Sequence, residues 1–111
     1  AVHTEAKKRG FSLEDVSRWM SRNPARHARL SGRKGALEVG LDADFTFLDE
    51  HAKTTVTKPN IRHKNKLTPY DGETLLGAIA ATYVRGTCVY RADETEVPAA
   101  ASSGQWLKGG V

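Results

Sequence analysis

Two carboxylates near the middle of this chain are its first candidates for chemistry. Asp42 and Asp44 flank Ala43 directly before a run of apolar residues. Paired carboxylates can bind a divalent metal ion or share acid–base work. The same short side chains also stabilise turns by accepting hydrogen bonds from nearby backbone N–H groups. Because no third ligand lies nearby in the sequence, turn stabilisation is favoured over a metal or catalytic site.

The other side chains that can bind metal or act as nucleophiles form no motif. They are His3, His27, His51, His63 and Cys88. No two of the histidines have the His-x-His spacing or the helical spacing of a metal-binding pair. Glycine-rich phosphate loops and nucleophile motifs are absent from the sequence. Cys88 within a strand is more typical of a small buried side chain than of a reactive thiol. His63 is expected on the surface of a basic loop. We therefore predict no catalytic, cofactor-binding or metal-binding residue in this chain.

The charge of the chain raises the question of a polyanionic partner. The net charge is +4 and the pI is near 9.4. Aromatic residues do not interleave with the basic ones, as a nucleic-acid stacking surface requires. Arg26 and Arg29 are three residues apart and could bind an anion, but a solvated helix face is favoured. We predict no nucleic-acid partner.

Composition restricts the class of protein further. At 111 residues, with 39% hydrophobic residues and a mean hydropathy of −0.51, the chain suits one soluble domain. It has no apolar run of membrane-spanning length and no apolar leader, so no membrane partner is predicted. A single cysteine fits a reducing compartment, and a cytoplasmic location is expected. The first residue is not Met, which is consistent with a processed or excised segment.

The first third of the chain has helical spacing. Ser12 is a candidate N-cap, with Asp15 three residues later in a weak form of the capping box. The apolar residues that follow at helical spacing are Leu13, Val16 and Met20, with Trp19 beside them. Asn23-Pro24 is expected to end this helix and to begin a short second one over residues 25–30. Gly32 is the candidate terminator of the second helix.

From Gly35 onward the sequence has turn and strand character. Residues 36–39, 45–48 and 53–57 are three strand candidates, the second of them buried. Pro59 is expected to end the third. Residues 60–68 form a polar basic loop, and residues 91–104 form a loop of low complexity. Trp106 is expected to anchor the end of the chain.

The clearest local signal is a β-hairpin at residues 79–90. Residues 79–84 and 87–90 are rich in β-branched and aromatic side chains, and Arg85-Gly86 lies between them. Gly86 can take the positive φ of a tight turn, and a two-residue loop fixes the register of an antiparallel pair. Pro69, Gly72 and Gly77 are expected to precede the first strand. The predicted fold class is α+β, with a helical segment at residues 1–34 and a small, mostly antiparallel β-domain at residues 35–111.

Several of these residues also carry a resemblance to a known family. The pattern is Asn23-Pro24-Ala25, Leu30, Lys34-Gly35 and Gly40-Leu41-Asp42-Ala43-Asp44-Phe45. It resembles the end of cyclic amidohydrolases of the dihydropyrimidinase and allantoinase group, where the last barrel helix passes into a small β-domain.

A second pattern narrows the resemblance to the allantoinases, and together the two patterns cover about residues 11–108. It consists of Arg62-His63-Lys64, Pro69-Tyr70, Gly72, Gly77, Thr82, Val84-Arg85-Gly86, Val89-Tyr90 and Gly104-Gln105.

The resemblance implies a parent enzyme larger than this chain. Allantoinases are (β/α)8 barrels with a binuclear metal centre, usually zinc, that open the ring of allantoin in purine catabolism. Their ligands are a His-x-His pair, a carboxylated lysine, two further histidines and an aspartate. None of these motifs occurs here, so no site residue is transferred. The chain is then expected to be a structural C-terminal segment whose partner is the rest of a homo-oligomeric enzyme. The alternatives are a dihydropyrimidinase or hydantoinase segment, and a stand-alone basic β-rich binding module.

Overall fold

The computed structural model describes residues 1–94 and 104–109 of the chain. A short helix α1 (Val2–Lys8) precedes α2 (Leu13–Ser17), a π-helical turn (Arg18–Arg22) and α3 (Asn23–His27). Three strands follow, β1 (Phe45–Thr55), β2 (Thr74–Val84) and β3 (Thr87–Arg91), with a 3-10 turn at Lys58–Asn60 between the first two. The sheet is antiparallel in the order β1-β2-β3. Helices followed by an antiparallel sheet confirm the α+β prediction.

The N-terminus of α2 is fixed by the predicted capping box. The Asp15 N–H donates to Ser12 Oγ at 3.2 Å, and the Ser12 N–H donates to Asp15 Oδ2 at 3.1 Å. These bonds satisfy two N–H groups that the helix itself leaves without partners.

The predicted break at Asn23-Pro24 is wrong. Asn23 has helical angles of φ −67° and ψ −45°, and its N–H donates to the carbonyl of Arg18, five residues back. This π turn widens the helix directly before Pro24, which has no N–H and whose ring would crowd a normal turn. Residues 13–27 therefore form one continuous element, which we call the helical arm.

The helical arm ends earlier than predicted, and Gly32 does not terminate it. Arg29 takes the left-handed conformation at φ 58°. The Leu30 N–H donates to Ala25 O at 2.8 Å, and the Arg29 N–H donates to Arg26 O at 3.1 Å. This is the Schellman pattern, here formed without glycine. The arm therefore stops at His27 rather than at residue 30.

Strand β1 joins two of the predicted strands. Residues 45–48 and 53–57 were expected to be separate, but the first and most of the second lie in β1 on either side of a register shift between Asp49 and Lys53. Asp49 Oδ1 accepts the N–H groups of His51 and Ala52 at 3.0 and 3.2 Å. The interruption in strand pairing is thus a bulge whose backbone N–H groups are bonded by its own Asp49 side chain.

The predicted strand at residues 36–39 does not form, although this part of the chain is described. Gly35 has a φ of +95°, and a Cβ there would lie 2.6 Å from Ala25 Cβ. The backbone is therefore pressed against the helical arm where the strand would have to begin, and Val39 beyond it is fully exposed.

The hairpin prediction is confirmed in its turn and pairing. Val84 pairs with Thr87, and both turn residues have positive φ, 46° at Arg85 and 77° at Gly86, as in a type I′ turn. Strand β2 starts earlier than predicted, at Thr74, so Gly77 lies within the strand rather than before it.

The end of the chain does not match its predicted role. Trp106 is 89% exposed and does not anchor the terminus. Of the predicted loop at residues 91–104, residues 95–103 lie outside the described part. Among the described residues, no helix is long and apolar enough to cross a membrane.

The chain buries few of its apolar side chains. Six described residues are buried, and all but one of them are small: Thr4, Ala6, Ala25, Ile61, Gly77 and Ala81. No large described side chain is fully buried, and Met20 and Phe47 are 58% and 56% exposed. The apolar faces of the helical arm and of the sheet are therefore incompletely covered.

Candidate functional site

The two candidate aspartates meet a lysine at the junction between the helices and the sheet. Lys34 Nζ lies 2.7 Å from Asp42 Oδ2 and also forms an ion pair with Asp44 Oδ2. Arg33 Nε donates to Asp42 Oδ2 at 2.8 Å. We call Arg33, Lys34, Asp42 and Asp44 the Lys34 node.

Local backbone bonds explain why these side chains meet. The N–H groups of Arg33 and Lys34 donate to Leu30 O at 2.9 and 2.8 Å, which folds the chain back after the helical arm. The Asp42 N–H donates to Arg33 O at 2.9 Å and brings the aspartate loop alongside. The sequence therefore folds the cations and the carboxylates onto one short stretch of backbone.

The node also holds the hairpin turn. The Arg85 N–H donates to Asp44 Oδ1 at 2.8 Å, and the Gly86 N–H donates to Ala43 O at 2.9 Å. Both positive-φ residues of the turn are thus bound by the segment that leads into β1. The Asp44 carboxylate therefore joins Lys34, in the loop after the helical arm, to the hairpin turn.

The electrostatics of the node favour its charged form. Burial alone would lower the pKa of Lys34, but hydrogen bonds to Asp42 and Asp44 outweigh it and raise that pKa. Burial alone would raise the pKa of Asp44, but its hydrogen bonds with Lys34 and the Arg85 N–H outweigh burial and lower that pKa. Hydrogen bonds from Lys34 and then Arg33 lower the pKa of Asp42. All three groups are therefore ionised at neutral pH.

The arrangement suits structure better than metal binding or proton transfer. The carboxylates already bind cations and, at Asp44, a backbone donor. The described residues contain no group of three or more His, Cys, Asp or Glu side chains that could hold a metal. The aspartates were expected to bind their own turn, whereas Asp44 binds a turn 41 residues away.

The histidines lie apart from the node. His51 is exposed, with Nε2 3.8 Å from Glu50 Oε1, and His27 and His63 are also exposed. His3 on α1 has a buried Nε2 without a hydrogen-bond partner among the described residues. Its ring lies beside Gly77, where a Cβ would approach His3 Cδ2 to 3.3 Å. The structure brings none of these rings together as a ligand set in its described part.

Cys88 and the arginines have ordinary environments. The Cys88 thiol is half-buried in β3 and donates to Tyr90 O at 3.4 Å. Arg26 and Arg29 are exposed on and just after the helical arm, as a solvated face would be. Arg62 stacks over the ring of Tyr90 with its guanidinium carbon 5.1 Å from the ring centroid.

A concave cleft with a volume of about 960 Å³ lies between the helical arm and the sheet. We call it the arm–sheet cleft. Its arm side includes Leu13, Val16 and Met20, and its sheet side includes Leu48, Ile79 and Val84. The sequence showed each apolar face separately, but periodicity carries no information about how far apart two faces stand. The cleft therefore could not be predicted.

The chain is similar to members of a known protein family. The model of the family described as "Amidohydrolase family" matches residues 1–89. An allantoinase of Streptomyces avermitilis is 50% identical over 88 residues, which are 78% of this chain and 19% of the relative.

Solved structures give the same picture. The L-hydantoinase (dihydropyrimidinase) of Arthrobacter aurescens superimposes with a TM-score of 0.72 at 38% identity, covering 85% of this chain and 21% of that one. A D-hydantoinase from Bacillus sp. AR9 gives 0.81 at 27% identity, covering 96% and 23%. The chain thus spans about a fifth of the length of the proteins it matches.

Proposed function

Because this chain belongs to the amidohydrolase family, we propose that it is the C-terminal segment of an allantoinase-like hydrolase. The parent enzyme would add water to allantoin and open its ring to give allantoate. The observation that carries this proposal is the 50% identity to an allantoinase over 88 residues. The allantoinase-like residues quoted above, among them Arg62-His63-Lys64 and Pro69-Tyr70, support the same choice.

The role of this segment in the enzyme is structural. The metal centre that the resemblance implies, a binuclear zinc site, does not fit the donor set of the described residues. Asp42 and Asp44 are engaged by Lys34, and no group of three candidate ligands is present among the described residues. We therefore assign the metal ligands and the catalytic aspartate to the rest of the parent polypeptide.

The exposed apolar faces support packing against that polypeptide. The helical arm presents Leu13, Trp19 and Met20 at 41%, 36% and 58% exposure. We propose that this face meets the barrel of the parent enzyme and that strands from its N-terminal part complete the sheet. A homo-oligomeric, cytoplasmic parent is part of the same proposal.

The strongest alternative is a hydantoinase or dihydropyrimidinase segment. The 38% identity to the L-hydantoinase favours it. Replacing the matched segment of the Streptomyces avermitilis allantoinase with this chain tests whether this chain can complete an allantoinase. We expect the chimera to hydrolyse allantoin, and the enzyme with that segment deleted to be inactive.

Two results would refute the proposal. A folded chimera without allantoinase activity would argue against an allantoinase-type segment. Turnover by the isolated chain with zinc or manganese, above the metal-only blank, would argue against a purely structural role. Steeply salt-dependent retention of the chain on heparin would instead favour the basic binding module.

A further inference from the structure

The last described residues of the chain lie against the end of the helical arm. A Cβ on Gly109 would stand 2.2 Å from the carbonyl oxygen of Ala28 and 3.3 Å from its carbonyl carbon. It would also lie 3.8 Å from Arg29 Cβ. A Cβ does not approach backbone atoms as closely as 2.2 Å, so the chain at position 109 occupies a space that only glycine can enter.

The residues that lead to Gly109 have two different faces. We call residues 104–109 the strap. Leu107 is half-buried, whereas Trp106 and Lys108 on either side of it are exposed. Lys108 Nζ lies 5.9 Å from the centroid of the Trp106 ring, so these two side chains share one side of the strap. Because side chains alternate along an extended chain, Leu107 belongs to the other side, together with Gly109.

The turn beneath the strap needs support from outside the helix. The last carbonyls of a helix have no donors within it, and Ala28 lies in that position. The chain leaves the helical arm through Arg29 at a φ of 58°, a conformation that is disfavoured for a residue with a side chain. Gly109 lies directly against these two residues, so the strap covers the point where the arm is weakest by local rules.

Neither the large aromatic side chain nor the charge of the strap explains this contact. Trp106, which the sequence suggested as the anchor, is 89% exposed. Lys108 is also exposed and lies beside the same ring. The residues that face the arm are the small Gly109 and the half-buried Leu107.

We propose that the strap packs Gly109 and Leu107 against the last turn of the helical arm and keeps that turn closed. Since Ala28 also lines the arm–sheet cleft, the strap thereby holds one rim of the cleft in place. The inference uses contacts within this chain and is independent of the reaction that the parent enzyme catalyses.

Hydrogen exchange at the end of the arm tests the proposal, at a concentration where light scattering reports a monomer. The N–H groups of Arg29 and Leu30 close the turn through bonds of 3.1 and 2.8 Å. Gly109→Ala should speed their exchange by at least about fivefold, because the new methyl group displaces the strap. Gly104→Ala is the matched control. Neither glycine has a left-handed φ, and a Cβ at position 104 meets no atom of the described residues within 4 Å.

A second pair of variants removes side chains instead of adding one. Leu107→Ala should speed the same exchange, whereas Trp106→Ala removes an exposed side chain and should leave it unchanged. The Val16 amide, in the first turn of the arm, is the internal reference and should keep its rate in every variant. In the unaltered chain, a nuclear Overhauser effect between the α protons of Gly109 and the β protons of Arg29 should report the contact itself.

Each outcome decides the question. Equal exchange at Leu30 in Gly109→Ala and Gly104→Ala would overturn the proposal. Acceleration at Val16 as large as at Leu30 would also overturn it, because the whole chain rather than one turn would have lost stability. If neither Gly109→Ala nor Leu107→Ala folded, the Overhauser effect in the unaltered chain would decide, and its absence would refute the contact.

Discussion

Replacing Asp44 with alanine should destabilise the isolated chain by about 2 kcal/mol. The carboxylate accepts the Arg85 N–H at 2.8 Å and pairs with Lys34. A hydrogen bond to a charged group contributes about 1.5–3 kcal/mol, and the partial exposure of Asp44 places the expected loss in the lower half of that range. Asp44→Asn should lose only about 1 kcal/mol, because the amide oxygen can still accept from the turn.

Urea denaturation followed by circular dichroism measures both losses. Glu38→Ala is the matched control, since Glu38 is exposed and its ion pair with Arg22 is 3.4 Å long. We expect it to change the free energy of unfolding by less than about 0.5 kcal/mol. If both Asp44 variants behaved like the control, the node would not join the arm to the hairpin.

The pH dependence of this effect has a definite sign. The pKa of Asp44 is lower in the folded chain than the ordinary aspartate value of 3.8. The stabilisation is therefore fully present above about pH 4 and is lost as the pH falls through the lowered pKa. The difference between the wild type and Asp44→Asn should be largest near pH 7 and should shrink toward pH 2. A difference that grew on acidification would contradict this reasoning.

Three further predictions concern backbone strain and association. Gly86→Val should destabilise the chain by about 1–3 kcal/mol because valine is strained at a φ of +77°, although no atom lies near the new Cβ. An unchanged urea midpoint would exclude the type I′ turn. Gly77→Ala should cost about 2–4 kcal/mol, since its Cβ would lie 3.0 Å from Leu48 Cδ1. Its control is Gly72→Ala, at φ +81° with open space, and equal losses in the two variants would show that packing plays no part. The isolated chain should self-associate through its exposed apolar faces, which light scattering across a concentration series would detect. A monomer at high concentration that binds no dye specific for apolar surface would mean that the chain closes its own core.

Local chemistry made part of the fold predictable. The Ser12–Asp15 box acts over three residues, and the Arg85-Gly86 turn over two, so each is decided by neighbours in the sequence. The resemblance to amidohydrolases rested on similarly compact runs of residues, and the family match confirms it.

Two of the errors arose at local irregularities of a helix and a strand, and the third arose where a distant contact decides the outcome. Asn23-Pro24 is a strong local stop signal, but a π turn accommodates the proline and the helix continues. The residues after Asp49 leave the hydrogen-bond ladder with β2 although the strand continues, so in the sequence the bulge looks like the boundary between two strands. The role of Asp44 depends on Arg85, far along the chain, and no spacing rule connects the two.

The helices and the sheet are joined by a second bond, apart from the Lys34 node. Thr4 Oγ1 on α1 accepts the Leu76 N–H of β2 at 2.9 Å. The helical part of the chain is therefore bound to the sheet at α1 and, through the loop after the helical arm, at the Lys34 node. Two bonded points leave the helices less conformational freedom relative to the sheet than one point would, so less freedom is lost when a partner binds them.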